Sequence, residues 1–552
     1  MTHPLAFLLG PSTERVGIPE GVSEEERLLA DTVRRFVREE ALPRSRALDT
    51  EGTQVLLRLF EDASRLGITG LEVPARYGGL GVDLTGAMLL ACELGAQPTL
   101  SSSLGAHFGL GTLPLALYAA EPLKQRYLPS LASGERIGAY ALTEPDAGSD
   151  ALSIRTRAER CDGGFLLNGR KQFITNAGIA GLYVVFAQVP GEGFTAFVVP
   201  AEAPGLEPGR PEEKMGLRGS PTASLSLTDV RIPADHVLGE VGRGHRVAFA
   251  VLNLGRLKLG FDSFGCARET LRESLSYAAS RRQFGQALVD LGLIRAKLVE
   301  MAARAFLLEG VCVRTSRAID AAVPGGPWVV DVGEASAVLK THSVRCALVK
   351  IAGSECADFV VDEGVQIHGG YGFVEESAVC RTYRDTRVKR IFEGTNEINR
   401  LFVGERVLRE GGLVSELRAR GRGLEPEGEG VCAALRWGLG RFLALAKERN
   451  HDTAADQRSL AGIADLALEI YGLDTARARV AGLEEPGPLR EALLVVAKAG
   501  ARRRGLATLC LLASRIGDGG SAELAEPLLR GVLPERSAGE TVARVLAEQG
   551  VW

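Results

Sequence analysis

Excess charge of either sign is the first thing this 552-residue chain lacks: 65 Lys and Arg stand against 69 Asp and Glu, a net of −4. No overall basic field is available to hold nucleic acid. Metal-ligand groupings are missing as well. The nine cysteines (Cys92, Cys161, Cys266, Cys312, Cys346, Cys356, Cys380, Cys432 and Cys510) are scattered singly, and the seven histidines are equally dispersed. That excludes a zinc site and a disulfide framework, and it implies a reducing compartment with buried or inert thiols. No run reaches the ~18 apolar residues that cross a bilayer. The opening MTHPLAFLLGPSTERVGIPE has no basic residues ahead of its short apolar run and is not Arg-rich, so it fits neither a secretory signal nor a transit peptide. The expectation is a cytoplasmic enzyme or binding protein with no metal. What is present is 45% apolar and 24% charged, an ordinary globular composition. The length suggests three or four domains at ~150 residues each.

Residues 23–135 read as a helical domain. Ser23 and Glu26 form a capping box before LLADTVRRFVREEALP, where Leu28, Val33, Phe36 and Val37 recur at helical spacing until Pro43. Residues 136–240 change texture: GFLLNG, LYVVFAQV, FTAFVVP and ASLSLTDVRIP are short strands between turn pairs, a compact middle β domain. Residues 241–412 return to long helical runs. LGRLKLGFDSFGCARETLRESLSYAASRRQ reads as one helix with interior glycines and EASAVLKTHSVRCALVKIAGSECADFVVDEGVQ as another, an antiparallel bundle. Residues 415–430 read as a polar linker, and 430–552 as a C-terminal helical extension. From Gly421 onward 17 basic residues meet 18 acidic ones. Arg502, Arg503 and Arg504 beside apolar helix would suit a membrane surface, but a solvated helix face is the simpler account. The fold class is mainly α with a central β domain.

Tyr383 to Val403, YRDTRVKRIFEGTNEINRLFV, places one acidic residue, Glu393, on a turn marked by Gly394. A helix with an apolar stripe (Ile398, Leu401, Phe402) follows. A carboxylate fixed at a helix mouth, beside a glycine that admits another molecule, suits a catalytic base. It would equally cap the helix or complement its dipole.

Four further segments bear on that choice: YALTEPDAGSD (140–150), GRKQFITNA (169–177), RRQFG (281–285) and QIHGGYGF (366–373). Together with IFEGTNEI, in this order and spacing, they resemble the acyl-CoA dehydrogenase family over roughly residues 25 to 410. The extension, LGAHFGLG (104–111) and VLNLGRLKLG (251–260) look most like its very-long-chain branch. The resemblance implies a helical N-domain, a β-barrel middle domain and a four-helix-bundle domain that bind FAD. By carry-over Tyr140, Leu142 and Thr143 line the flavin, with the Thr143 hydroxyl bonded to its ring. Phe173, Ile174 and Thr175 cover another part of the ring, and Thr395 and Asn396 also touch FAD. Ser149 lies where FAD and the CoA ester meet. Arg281, Phe284, Gln366, Ile367, His368, Gly369 and Gly370 bind the adenine and pyrophosphate portion, from a second subunit. Asn253, Arg256, Phe392 and Gly394 adjoin the substrate.

Glu393 then takes the α-proton of an acyl-CoA thioester. Its own backbone N–H and a ribityl hydroxyl of FAD steady the thioester oxygen, since fixed donors best stabilise developing charge. A dry pocket raises the carboxyl towards working pH. The β-hydrogen leaves as hydride to FAD, giving a trans-2-enoyl-CoA. Some branches place the base where this chain has Gly255, which cannot serve. The resemblance further implies electron-transfer flavoprotein as acceptor, a homodimer, and membrane contact that is at most peripheral. An acyl-CoA oxidase is the enzymatic alternative. An alkylation-response flavoprotein that binds DNA is the alternative of another class, disfavoured by the balanced C-terminal charge. His107 and His368 are expected to be structural. Gly105, Gly109 and Gly111 either leave room for a long acyl chain or allow close helix packing.

Overall fold

The computed structural model describes residues 4–10, 21–423, 430–482, 487–516, 524, 527 and 535–549. Seven helices come first: α1 (Glu24–Phe36), α2 (Ser45–Glu51), α3 (Thr53–Arg65), α4 (Leu84–Leu94), α5 (Pro98–Gly105), α6 (Leu113–Tyr118) and α7 (Glu121–Ala132). The capping box at Ser23 and Glu26 forms with both of its hydrogen bonds.

Eight strands follow: β1 (Gly138–Ala141), β2 (Arg157–Cys161), β3 (Gly164–Ile174), β4 (Leu182–Val189), β5 (Gly193–Pro200), β6 (Leu206–Pro211), β7 (Ala223–Pro233) and β8 (Val237–Leu238). They make one sheet in the order β6-β7-β3-β2-β4-β5-β8, with β1 pairing parallel to β4. β4 is apolar on both faces for a reason. Leu182, Val184 and Phe186 join the core shared with the helices, while Tyr183, Val185, Ala187 and Val189 join the sheet's own core. Alternate side chains point to opposite faces, so a strand covered on both sides has no polar alternation.

The second helical region holds α8 (Gly244–Ser280), α9 (Gly292–Asp320), α10 (Val332–Thr341), α11 (Ser343–His368), α12 (Gly370–Phe373), α13 (Ala378–Thr386) and α14 (Asn396–Arg409). With 37 residues, α8 is about 55 Å long. It has no polar stripe because neighbours cover it on several sides. Its interior glycines are crossing points: a Cβ on Gly353 of α11 would stand 2.8 Å from the Cα of Gly260. The run expected as one helix from Glu334 to Gln366 is two, because His342 ends α10 outside helical geometry and serves as N-cap residue of α11.

The last helices are α15 (Gly411–Gly421), α16 (Val431–Glu448), α17 (Gln457–Ala481), α18 (Gly487–Arg515) and α19 (Glu535–Gln549). The expected linker at 415–430 is therefore helical as far as Gly421, where Leu413, Val414 and Leu417 are buried; residues 424–429 lie outside the described residues. α17 is bound to α9 by a buried pair, Arg314 with Asp474 at 3.1 Å, and Arg436 of α16 meets the same carboxylate at 3.0 Å. Residues 4–10 dock here too. The Phe7 ring lies 4.9 Å from that of Tyr471, and its carbonyl accepts from Arg436 at 2.8 Å. No helix among the described residues is long and apolar enough to cross a membrane.

Candidate active site

Glu393 occupies the turn between a short 3-10 segment, Arg387–Arg390, and α14. Its backbone is left-handed (φ 57°), and Gly394 follows at φ 78°. For a residue with a Cβ that conformation costs about 1–3 kcal/mol and needs support. Asn399, buried on α14, supplies it: its amide donates to the carbonyls of Glu393 (3.4 Å), Gly394 (2.8 Å) and Thr395 (3.0 Å). Arg256 Nε donates to the Glu393 carbonyl at 3.3 Å. The helix cap is Thr395, whose hydroxyl accepts from Ile398 N–H at 3.2 Å. Glu393 has no capping duty.

Its carboxylate lies across α8, above Gly255. A Cβ at position 255 would stand 2.7 Å from Oε2 and 3.1 Å from Oε1, so only glycine leaves the space. Oε2 is buried without a hydrogen-bond partner. The Glu393 backbone N–H also has no partner among the described residues. Burial pushes the carboxyl up to about 7, against the opposing pull of Arg256, Lys258 and Lys350. Tyr140 on β1 packs edge-on against Phe186 at 5.0 Å, and its hydroxyl is likewise buried without a hydrogen-bond partner. Burial and then the nearby Glu393 charge hold that phenol well above its usual range.

A cavity of about 90 Å³ opens beside the carboxylate, walled by Phe108, Leu110, Thr175, Leu259 and Phe392. Charged groups also line it: Lys258, Asp262, Asp385 and Lys389. The glycines of LGAHFGLG divide their work. Gly105 keeps its open side at the cavity. Gly109 makes room for a side chain of the protein itself, since a Cβ there would fall 2.0 Å from Lys258 Nζ. Gly111 packs on the backbone of Gly138 and Ala139. Of the three, only Gly105 borders the cavity.

The two segments expected at the flavin are tied together. Gln172 N–H donates to the Thr143 carbonyl at 2.9 Å, and buried Lys171 pairs with Glu144 at 2.7 Å. Phe173 is 63% exposed on a left-handed backbone (φ 59°), a flat apolar face presented at some cost. Thr143 and Thr175 are half-buried and Ser149 is exposed. Leu142, Ile174 and Ile367 are buried core residues whose side chains are committed elsewhere. The Asn396 amide is likewise engaged: it accepts from Lys350 Nζ (2.7 Å) and Ser354 (3.0 Å) and donates to Glu355 (3.1 Å). Asn253 bonds Arg256 at 3.1 Å.

Arg281, Phe284 and Gln366–Gly370 form a separate cluster. Arg281 lies 26 residues beyond Gly255 along α8 and its cap, about 39 Å away at 1.5 Å per residue. Phe284 and Gly285 turn a hairpin between Arg282–Gln283 and Gln286–Ala287, both at positive φ, and Phe284 is 91% exposed. Arg281 lies over the Tyr371 ring at 5.8 Å, and His368 stacks on Tyr277 at 4.3 Å. His107 is buried, bonded to Leu131 O and accepting from Gly138 N–H, and burial drops it to about 4. Arg503 and Arg504 are paired with Glu300 and Glu469.

Asn399, Glu72, Lys258 and Lys350 were not singled out from the sequence. A lysine between two leucines, three residues from Gly255, was the signal available for Lys258. No group of acidic, His and Cys side chains fit for a metal occurs among the described residues.

Profiles of the N-terminal, middle and C-terminal domains of acyl-CoA dehydrogenase match residues 23–135, 139–230 and 242–408. A probable acyl-CoA dehydrogenase of Bacillus subtilis (strain 168) is 37% identical over 494 residues, covering 85% of this chain and 83% of the relative. The mitochondrial very long-chain specific acyl-CoA dehydrogenase of Homo sapiens is 38% identical over 62% of this chain and 52% of its own length. The chain thus matches about half of that relative. The crystal structure of an acyl-CoA dehydrogenase complexed with FAD from Bacillus anthracis superposes with a TM-score of 0.93 at 33% identity, covering 100% of this chain and 99% of that one.

Proposed function

The chain belongs to the acyl-CoA dehydrogenase family, an FAD-dependent oxidoreductase, and from that premise we propose that it desaturates long- or very-long-chain acyl-CoA with Glu393 as base. One observation carries the proposal: a carboxylate held over Gly255, with a buried and unpartnered oxygen, at the mouth of a cavity. Raised to about 7 by burial, it is more basic than an ordinary carboxylate, and a substantial fraction of it is ionised at neutral pH, ready to take a weakly acidic α-proton.

The residues present suit FAD. Phe173 offers an exposed ring face, Thr143 a half-buried hydroxyl and Tyr140 an unpartnered one. With them Ser149, Thr175 and Thr395 are assigned to the flavin end. Ile174, Ile367 and Asn396 would contribute backbone rather than side-chain contacts. FAD, when bound, supplies the acceptor for the β-hydrogen. The protein supplies the rest. Glu393 Oε2 receives the α-proton, and the free Glu393 N–H donates to the thioester oxygen as charge gathers there. Asn399 and Arg256 hold the turn so that both groups stay aimed. Asn253 and Phe392 are assigned to the substrate's acyl side.

Arg281 and Phe284 at the far end of α8, with Gln366–Gly370 packed beside that end, are too far away to serve the same chain's Glu393, so we assign them to the adenine end of a partner's cofactor in a homodimer. Electron-transfer flavoprotein is proposed as the acceptor. As working units we propose residues 23–135, 136–240, 241–412 and 430–552. The long-chain preference rests on the likeness to the very-long-chain relative and on Gly105.

The test is anaerobic flavin bleaching of FAD-loaded protein by palmitoyl-CoA and butyryl-CoA, with Glu393→Gln alongside. Rapid bleaching by palmitoyl-CoA, lost in the variant, is expected. Bleaching by butyryl-CoA alone would overturn the long-chain assignment. No bleaching by either would overturn the reaction. Oxygen uptake on turnover would instead indicate an oxidase.

A further inference from the structure

Lys258 stands one helical turn beyond Gly255, on the side of α8 that lines the cavity shared with Glu393. Lysines seldom enter such places, and the surroundings are fitted to this one. Its Nζ lies 2.8 Å from Oε1 of Glu72, a fully buried residue, and 4.5 Å from the centre of the Phe108 ring. Any residue but glycine at 109 would occupy the ammonium's position. Neither the ammonium nor the Glu72 oxygens have a well-aligned hydrogen bond among the described residues. A pair held by charge alone adds little to stability, because desolvation offsets most of the attraction. Its placement beside a base suggests an electrostatic use.

We propose that the Glu72–Lys258 pair is a positioning device for Glu393, its ammonium holding the base ionised and turned towards the cavity in the acyl-free and acyl-bound enzyme. This rests on Glu393 being the base. The groups facing Glu393 from its neighbours are Arg256 and Lys258 on α8, Lys350 on α11 and Tyr140 on β1. Arg256 is committed to the Glu393 carbonyl and Asn253, and Lys350 to Asn396. Of the three cations that act on Glu393, Lys258 is the one that lines the cavity, where Lys389 is paired with Asp262 at 2.6 Å, and its opposition to the burial-driven rise of Glu393 agrees with that role. Glu72 keeps the ammonium from being a lone buried charge, and burial in turn raises Glu72 while Lys258 opposes the rise.

The test compares wild type, Lys258→Met, Lys258→Arg, Glu72→Gln and the double variant Lys258→Met/Glu72→Gln, all FAD-loaded. Two readouts are followed against pH: the bleaching rate with palmitoyl-CoA, and the infrared band of a protonated carboxyl that Glu393→Gln removes. Loss of a nearby cation favours the protonated acid, so Lys258→Met should move both midpoints up by about one pH unit. Lys258→Arg should restore them, and Glu72→Gln, which leaves the cation uncompensated, should move them down. The double variant leaves no unpaired buried charge, so it keeps the question open to measurement if Lys258→Met does not fold; an upward shift is expected there as well. Midpoints unchanged in both Lys258→Met and the double variant would overturn the proposal. A wild type that palmitoyl-CoA does not bleach would overturn the reaction assigned above, while the infrared midpoints would still report on the pair.

Discussion

At its Gly255 end α8 is enclosed on several sides, and the Glu393 carboxylate there depends on contacts within one chain. At its Arg281 end the helix runs out into an exposed hairpin; Phe284 in that hairpin and Phe373 at the end of α12 face solvent, 91% and 83% accessible. The first region has buried polar atoms without partners; the second has apolar faces without cover. Each lack has its own meaning. An unpaired buried oxygen costs stability and is retained for chemistry, because replacing it would remove the reacting group. Uncovered aromatic faces mark a surface completed by another molecule.

The sharpest way to break the comparison is at the base. Glu393→Gln should lower the anaerobic bleaching rate by about 10³–10⁴-fold, the range of a lost general base, with FAD retention unchanged. The same variant should gain stability at alkaline pH. Glu393 is raised from 4.5 to about 7, so the folded protein holds a proton that the unfolded chain releases as pH rises between those values. Stability therefore falls across that window in wild type. Glutamine avoids the loss, worth about 3 kcal/mol at pH 8 by denaturant titration. Equal stabilities at pH 5 and pH 8 in both proteins would refute the burial argument.

Gly255→Ala comes next. Its Cβ would meet Oε2 at 2.7 Å, so the carboxylate must move. A displacement near 1 Å costs about 10²-fold in rate, while alanine in a helix otherwise favours folding. Slow bleaching with an undiminished melting temperature is the expected signature. At the other end, Arg281→Ala with Phe284→Ala should weaken FAD retention about tenfold, a loss of ~1.4 kcal/mol in all. It should spare the bleaching rate of subunits that remain loaded. Slowed chemistry in those subunits would mean that the two ends are not separate. The smallest effect is expected from Arg503→Ala, which removes an exposed ion pair with Glu300 and should change stability by less than about 1 kcal/mol. Reduced binding to anionic vesicles in that variant would revive the membrane reading.

Much of this was legible in the sequence, and the reasons differ by residue. Glu393 announced itself through the glycine after it and the apolar stripe beyond, because a turn before a helix has a local signature. The capping box at Ser23 and Glu26 is equally local. Asn399 was in plain sight within EGTNEINR. Its role needs the turn folded back so that one amide reaches three carbonyls, which spacing does not reveal. Glu72 and Lys258 are 186 positions apart, and only the close approach at Gly109 brings them together. The glycines of LGAHFGLG were ambiguous for the same reason: a missing side chain does not say what fills the gap. The break at His342 was hidden because α10 and α11 share one continuous apolar composition.

Phe7 has a bearing on how the molecule comes to be made. Its carbonyl is held by Arg436, 429 positions later, and its ring by Tyr471. A ribosome releases residues 4–10 long before their seat exists, so that segment must wait through the synthesis of nearly all of the rest. Contacts so distant along the chain form slowly. Docking of this segment should therefore be among the last folding events, and Phe7→Ala should leave an early, protease-resistant core unchanged while exposing the α16–α17 region to cleavage. Equal digestion patterns for the two proteins would show that the final helices close without it.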